Sequence, residues 1–296
     1  MIGVDVGGTK ILSGVVDREG TVLGQSLVES PGSSEVDVLA AIDSAVAELL
    51  DDRIGAIGFG IPANLERVTG RVLWATNLPF DDFDLAGHAR ARFGLPVRVE
   101  NDANVATLAE WKLGAGRDAS NLVMLTLGTG VGGGIVLDDR LYRGWAEIGH
   151  IVVQADGPPC QGNCHGRGHL EALASGTAAD RGAQELWGDG ADAHLLVDKA
   201  RAGDEAARAL LAEIGGFLGA AIGSLANLFD PELFVVGGGF GDAAGELVLD
   251  PALEAARREA LAPADETLRI VPAELGVQAG LVGAGLVGFE ALDGAW

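Results

Sequence analysis

Cysteine is nearly absent from this 296-residue chain: Cys160 and Cys164 are its only two. One close pair is no disulfide framework for a chain of this length, which leaves a metal site or a redox pair. No uncharged apolar run reaches the ~18 residues that a membrane span needs, so no membrane partner is expected. No basic leader precedes the first strand-like residues, so no signal peptide is expected and the default location is cytoplasmic. Positive charge is scarce. Lys and Arg total 20 against 43 Asp and Glu, a formal net charge of −23, and the only lysines are Lys10, Lys112 and Lys199. That balance argues against nucleic acid or an anionic membrane as a partner. It suits a solvated acidic surface or a salty habitat. Nucleotide phosphates entering so acidic a chain need metal ions and backbone amides to offset repulsion.

What is present is enough apolar residue, 48%, to build a substantial core, in two domains or one large one. Glycine is placed in a repeated pattern. Ile2-Gly-Val-Asp5-Val-Gly7-Gly8-Thr9-Lys10 runs into Ile11–Asp17. Leu122–Leu127 runs through Gly128-Thr129-Gly130-Val131-Gly132-Gly133 into Gly134–Asp138. Each copy sets glycines between two apolar strand-like runs. Gly128-x-Gly130-x-x-Gly133 has the spacing of a dinucleotide fingerprint, but that loop must open a helix, and here a strand follows. A Walker loop fails too, since no Gly-Lys-Ser or Gly-Lys-Thr follows. The glycines therefore sit at hairpin turns whose amides can form an anion nest, against the plain alternative of ordinary hairpin turns. The doubled pattern, each copy with a threonine beside glycine, favours two similar lobes holding one phosphorylated ligand. Asp5, at the end of the first strand, is placed to hold Mg²⁺ or its waters, or to cap a turn. Gly237-Gly238-Gly239, after the short apolar strand Leu233–Val236, offers a third close approach for an adenine or ribose.

Helical spacing is expected over 35–50, Leu85–Phe93 stopped by Gly94, Asn104–Leu113, much of 170–228, and 279–292. Strands are expected over 2–29 in three pieces, at Ile54–Ile61 and at Val97–Glu100, with 155–168 as a loop. The lobe boundary falls between 103 and 120, giving a first lobe over 1–110, completed by the C-terminal helix 279–296, and a second over 111–278. No low-complexity linker marks it.

Glu100-Asn101-Asp102-Ala103-Asn104 ends a strand and opens a helix. One Asp or Asn suffices to cap a helix, and here four polar side chains crowd together. Asn101 can donate to and accept from a sugar hydroxyl, and Asp102 can take its proton. Downstream, Glu147-Ile-Gly-His150 precedes Cys160-Gln-Gly-Asn-Cys164-His165-Gly-Arg-Gly-His169-Leu-Glu171. These ligand types suit a structural Zn²⁺ held by His150, Cys160, Cys164 and His169, with His165 competing for one place. Such an ion would set Glu147 and Glu171 beside one pocket.

Assembled, these segments resemble the ROK family of sugar kinases, within the hexokinase–actin–Hsp70 superfamily. The likeness spans the chain through DVGGTK at 5–10, ENDAN at 100–104, LGTGVGGG at 127–134, AEIGH at 146–150, the cysteine loop through LEALASG at 170–176, and DPELFVVGGG at 230–239. It implies an α/β fold of two RNase H-like (actin-like ATPase) lobes with substrate in an interlobe cleft. It also implies phosphorylation of a hexose by ATP with Mg²⁺, Asp102 acting as general base. Asn77, Asn101, Asp102, Glu147, His150 and Glu171 match sugar-contacting positions. His150 would give one ring nitrogen to zinc and the other to the sugar. Asp5, Gly7, Gly8, Thr9 and Lys10, with Gly128, Thr129, Gly130, Gly132 and Gly133, match phosphate loops, and Gly237–Gly239 the adenosine side. The motif set is most like the family's glucokinases, implying glucose, a glycolytic role and a homodimer. N-acetylmannosamine, N-acetylglucosamine or fructose are the other sugars and polyphosphate the other donor. A sensor that binds sugar without turnover is the alternative of another class; family repressors carry a DNA-binding segment for which no room is expected ahead of Asp5. Two positions depart from the family. Its metal loop reads Cys-x-Cys-Gly-x-x-Gly-Cys, whereas three residues separate Cys160 from Cys164 and His169 stands where the last Cys falls. Ala63 in Ile61-Pro-Ala-Asn64 replaces a common glycine.

Overall fold

The computed structural model describes every residue except Ser33, Arg67, Thr76, Ala295 and Trp296. The strands are β1 (Ile2–Val6), β2 (Lys10–Val16), β3 (Val22–Glu29), β4 (Ile57–Ile61), β5 (Ala63–Leu65), β6 (Val72–Ala75), β7 (Asp81–Phe83), β8 (Val97–Asn101), β9 (Leu122–Leu127), β10 (Val131–Leu137), β11 (Arg140–Leu141), β12 (Leu233–Gly237) and β13 (Ile270–Pro272). The helices are α1 (Glu35–Leu49), α2 (Leu85–Phe93), α3 (Asp102–Leu113), α4 (Leu170–Ala174), α5 (Gly176–Trp187), α6 (Ala193–Arg201), α7 (Glu205–Phe229), α8 (Gly239–Ala244), α9 (Glu246–Glu259), α10 (Ala264–Thr267) and α11 (Ala279–Asp293). The expected C-terminal helix ends at Asp293; residues 295 and 296 lie outside the described set.

Two compact units form. The first contains Met1–Gly114, Arg143–Trp145 and Val277–Trp296; the second contains Ala115–Tyr142 and Ala146–Gly276. Each has its own apolar core. One gathers Ile2, Val4, Ile42, Ile57 and Phe59, the other Val123, Leu125, Leu211, Ile222 and Phe234.

The two main sheets share one topology. In the first unit the order is β3-β2-β1-β4-β8, in the second β11-β10-β9-β12-β13. In both, an antiparallel hairpin (β1–β2, β9–β10) supplies the central strand, which then pairs in parallel with the next (β1–β4, β9–β12). The repeated glycine pattern is thus one turn used twice, at the same end of each sheet's first hairpin.

In the first unit β1 and β4 are apolar on both faces because both are covered: α11 packs across β1, β4 and β8, and α1 lies on β2 and β3. Glycine lets α11 come close. A Cβ on Gly3 would stand 2.4 Å from the Leu281 carbonyl oxygen, and one on Gly58 1.9 Å from that of Ala284. Helix ends follow local chemistry. The Asp84 side chain accepts from the Gly87 N–H to start α2, and Gly94, at φ 69°, ends it. A further small sheet, β5-β6-β7, occupies Ala63–Phe83. Its strands of three and four residues are too short to show a two-residue period, so the sequence pattern does not reveal them.

In the second unit α4–α10 surround the sheet. Of the described helices only α7 is long and apolar enough to cross a membrane, with an 18-residue window of mean hydropathy 1.7, yet 56% of that window is buried within the protein. Its packing partner is α9, which makes it the unit's central core helix.

Candidate functional site

The first unit presents its chemistry where β1 and β8 end and α3 begins. Asn101 is the residue that caps α3: its Oδ1 accepts from the N–H groups of Ala103, 2.9 Å, and Asn104, 3.1 Å. Its Nδ2 donates to the Ala63 carbonyl, 3.4 Å. With the cap supplied, Asp102 stands at the first helical position, where its Oδ1 accepts from the Ala103 N–H at 2.9 Å. Burial pushes the Asp102 carboxyl up, against hydrogen bonds from the Ala103 N–H, its own N–H and the Asn101 side chain, which pull it down. Asp5 is pushed up to about 6, first by burial and then by the Asp102 charge, with Lys10 pulling the other way. Two carboxylates thus share one electrostatic neighbourhood.

Glu100 supports them. Its Oε1 accepts from the Asn101 N–H and from Asn104 Nδ2, each at 3.0 Å, and its Oε2 accepts from Arg143 Nη1 at 2.6 Å. Arg143 also holds Glu290 of α11, at 2.7 and 2.9 Å. The acid–amide cluster therefore divides its labour: Glu100 is structural, Asn101 caps, and Asp102 is the carboxylate that neither caps the helix nor pairs with a cation. Sequence reasoning missed Arg143, whose partners lie 43 and 147 residues away. Around the first hairpin turn, the Gly7 N–H donates to the Lys10 carbonyl, 2.8 Å. Thr9 and Lys10 are exposed and Gly8 is half-buried, with Asn77 beside it: a Cβ on Gly8 would lie 3.1 Å from the Asn77 Cβ.

In the second unit the turn between β9 and β10 is tied to its surroundings. The Gly128 N–H donates to the Gly130 carbonyl, 2.9 Å, and the Gly176 N–H to the Gly128 carbonyl, 2.7 Å. The Val131 N–H donates to Glu171 Oε2, 3.0 Å. A Cβ on Gly130 would stand 2.2 Å from that same oxygen, so a side chain there would push the Glu171 carboxylate off this bond. Gly132 and Gly133 lie inside β10 rather than in the turn. Gly133 is buried where a Cβ would stand 2.7 Å from the Ile148 Cδ1, so the 3-10 turn Ile148–His150 can sit on the strand.

That 3-10 turn carries His150 into a cluster with Cys160, Cys164 and His169. One ligand atom from each lies within 4.8 Å of all the others, and His165 is not among them. The Nδ1 atoms of His150 and His169 are 3.3 Å apart. Cys160 Sγ lies 3.6 Å from His150 Nδ1 and Cys164 Sγ 3.5 Å from His169 Nδ1. Ligands held about 2.0–2.3 Å from one tetrahedral ion stand about 3.3–3.8 Å apart, so the donor set fits such an ion. It uses both Nδ1 atoms and leaves His150 Nε2 outside the cluster. Burial, with the Cys164 thiol adding to it, pushes the Cys160 thiol up to about 11, unlike the lowered values of reactive dithiols. Glu147 is exposed at the start of this segment, next to Ala146 at φ 45°.

Beside the second turn lies a cavity of about 530 Å³ lined by Gly128, Thr129, Gly176, Thr177, Asp180, Asp192, Ala193, His194, Gly239, Phe240 and Ala243. Of the three expected glycines, Gly239 lines it. Gly237 packs on Ala273, and Gly238, at φ 90°, packs on the backbone of Leu127, which closes β9 against α8. Gly176 aside, which closes LEALASG, the α5 and α6 residues of this wall carry no motif and were not legible beforehand.

The family model described as the ROK family matches residues 1–288. The glucokinase of Streptomyces coelicolor is 38% identical over 306 residues, covering 96% of this chain and 95% of that protein. The glucokinase of Thermotoga maritima is 35% identical over 318 residues, covering 99% and 98%. The crystal structure of a ROK family glucokinase from Streptomyces griseus in complex with glucose and AMPPNP matches with a TM-score of 0.86 at 38% identity, covering 98% of this chain and 99% of that one.

Proposed function

The chain belongs to the ROK family, and on that premise we propose that it phosphorylates glucose with ATP, yielding glucose 6-phosphate and ADP. The observation that carries the reading is Asp102, freed from capping by Asn101 and raised toward a base's working range by burial. Its carboxylate takes the proton of the sugar 6-hydroxyl as the hydroxyl oxygen attacks the γ-phosphorus and the bond to ADP breaks. Asp5 is the carboxylate for Mg²⁺ or its waters; when bound, that ion neutralises charge on the triphosphate. Gly7–Lys10 and the Gly128–Gly130 turn supply backbone amides to phosphate oxygens, and the cavity against Gly239 takes the nucleoside.

The sugar contacts we assign are Asn77, Asn101, Glu147, His150 through Nε2, and Glu171 through the oxygen not used by the Val131 N–H. The Cys/His cluster holds structural Zn²⁺ in this reading, fixing His150 and the segment that leads to Glu171. A cytoplasmic, glycolytic homodimer completes it, on family likeness.

The test is sugar-phosphate formation across glucose, N-acetylmannosamine, N-acetylglucosamine and fructose, each with ATP and with polyphosphate. Glucose with ATP should be fastest. Sugar binding without transfer across the whole panel would establish a sensor instead. Metal analysis of protein purified without added zinc should find about one zinc per chain. A metal-free, oxidised pair would support the thiol–disulfide role.

A further inference from the structure

Gln161 directly follows the ligand candidate Cys160, and its side chain leaves the cluster for the nucleotide side. Its Nε2 lies 3.3 Å from the Thr129 carbonyl, 3.2 Å from the Glu171 carbonyl and 2.9 Å from Ser175 Oγ. An amide nitrogen has two hydrogens, so it can donate to two of these at once. Each acceptor is part of the loop's support. Thr129 lines the 530 Å³ cavity, and its carbonyl also accepts from Thr177 Oγ1 at 2.8 Å. Ser175 caps α5, accepting from the Ala178 N–H at 3.1 Å, and the next residue, Gly176, donates to the Gly128 carbonyl. Glu171 holds the Val131 N–H. The Cys160 side is equally anchored, through its N–H to the Gly166 carbonyl, 2.9 Å, and its sulfur against His150.

We propose that Gln161 is a positioning residue that ties the Cys/His cluster to the Gly128–Gly130 turn, so that metal occupancy sets how tightly the chain holds its nucleotide. The ion fixes Cys160, Cys160 fixes Gln161, and Gln161 fixes the carbonyl of Thr129 at the cavity wall. This rests on the kinase reading of that cavity.

The experiment is calorimetric titration of AMPPNP with Mg²⁺ into four full-length proteins: native, native stripped with a chelator, Gln161→Ala, and Gln161→Ala stripped. Zinc content and glucose affinity are measured in parallel. The native protein should bind AMPPNP. Gln161→Ala should bind it three- to tenfold more weakly while keeping its zinc and its glucose affinity within twofold. Stripping should weaken AMPPNP binding several-fold in the native protein and little further in the variant. Gln161→Glu, which keeps the shape but offers no donor, should behave no better than alanine. Native AMPPNP binding that is unchanged in Gln161→Ala, or equal losses on stripping with and without Gln161, would overturn the inference and leave the kinase reading standing. A native protein that binds no AMPPNP would overturn both.

Discussion

The turn between β1 and β2 closes on itself, through the Gly7 N–H onto the Lys10 carbonyl, with one further bond from the Ser30 N–H to the Thr9 carbonyl at 3.0 Å. The turn between β9 and β10 makes its own closing bond, receives others from Gly176, Thr177 and Gln161, and gives one, through the Val131 N–H, to Glu171. Same sheet position, same glycine pattern, different support. The first turn sits among charges: Asp5, Asp102 and Lys10 act on one another there. The second sits in a web of hydrogen bonds, mostly between neutral groups with the Glu171 carboxylate as one acceptor, beside the Cys/His cluster. One unit therefore supplies reactive, electrostatically tense groups, and the other a pre-formed cradle. Tension in the first lowers stability for the sake of chemistry; cross-linking in the second avoids reorganisation when a phosphate arrives.

The largest expected effect tests the charged side. Asp102→Asn keeps the helix start, because Asn101 is the cap, but removes the base. Turnover should fall by about 10²–10⁴-fold with glucose affinity retained, read by steady-state kinetics and calorimetry. Near-normal turnover would remove Asp102 from the mechanism. Next comes a paired substitution that sets the two turns against each other. In Gly130→Ala the new methyl meets Glu171 Oε2, which cannot keep its bond to the Val131 N–H, and kcat/KM should fall about 10²-fold. In Gly8→Ala the methyl meets the Asn77 Cβ at 3.1 Å and the Asn77 carbonyl oxygen at 3.2 Å, contacts that a backbone shift of a few tenths of an ångström relieves, so the loss should stay within about tenfold. Equal losses would erase the distinction between a free turn and a braced one.

Arg143→Met takes from Glu100 the cation that pairs with it directly, while Glu290 keeps Arg98 at 3.5 Å. Glu100 is 7% exposed, so its charge has no ready access to water. Unfolding measurements should show a loss of about 2–4 kcal/mol. The smallest effect has the opposite sign. Asp5 binds its proton more tightly folded, at about 6, than at its ordinary value of 3.8. Between those values the folded chain holds more protons, so this group's contribution to stability falls as pH rises from about 4 to 6 and stays low above that. Asp5→Asn should therefore raise stability at neutral pH by about 1–3 kcal/mol, flatten that slope in a melting series, and cost activity. In the native protein, activity should decline as pH is lowered through about 6, as Asp5 takes up its proton.

Much of this was open to reading along the chain. Leu85–Phe93 announces its helix by spacing and the Gly94 stop; the glycine turns announce themselves by the strands that flank them. The four ligand candidates lie within twenty-odd residues of one another, and their chemistry names a metal cluster. What was hidden lies in long-range meetings. Nothing near Arg143 points to Glu290, nothing in Ala193 or His194 points to Gly239, and Gln161 looks like spacer between two cysteines.

The sequence alone determined the elements and the stock of chemistry, because hairpin turns, helix caps and ligand types act over a few residues and are written in adjacent letters. Tertiary structure decided the assignments: His169 rather than His165 in the cluster, Asn101 as cap and Asp102 as the free acid, Gly133 for packing and Gly130 for the turn. Those choices depend on which backbone comes within about three ångströms of which side chain, and that distance is set by the packed sheets and helices of each unit.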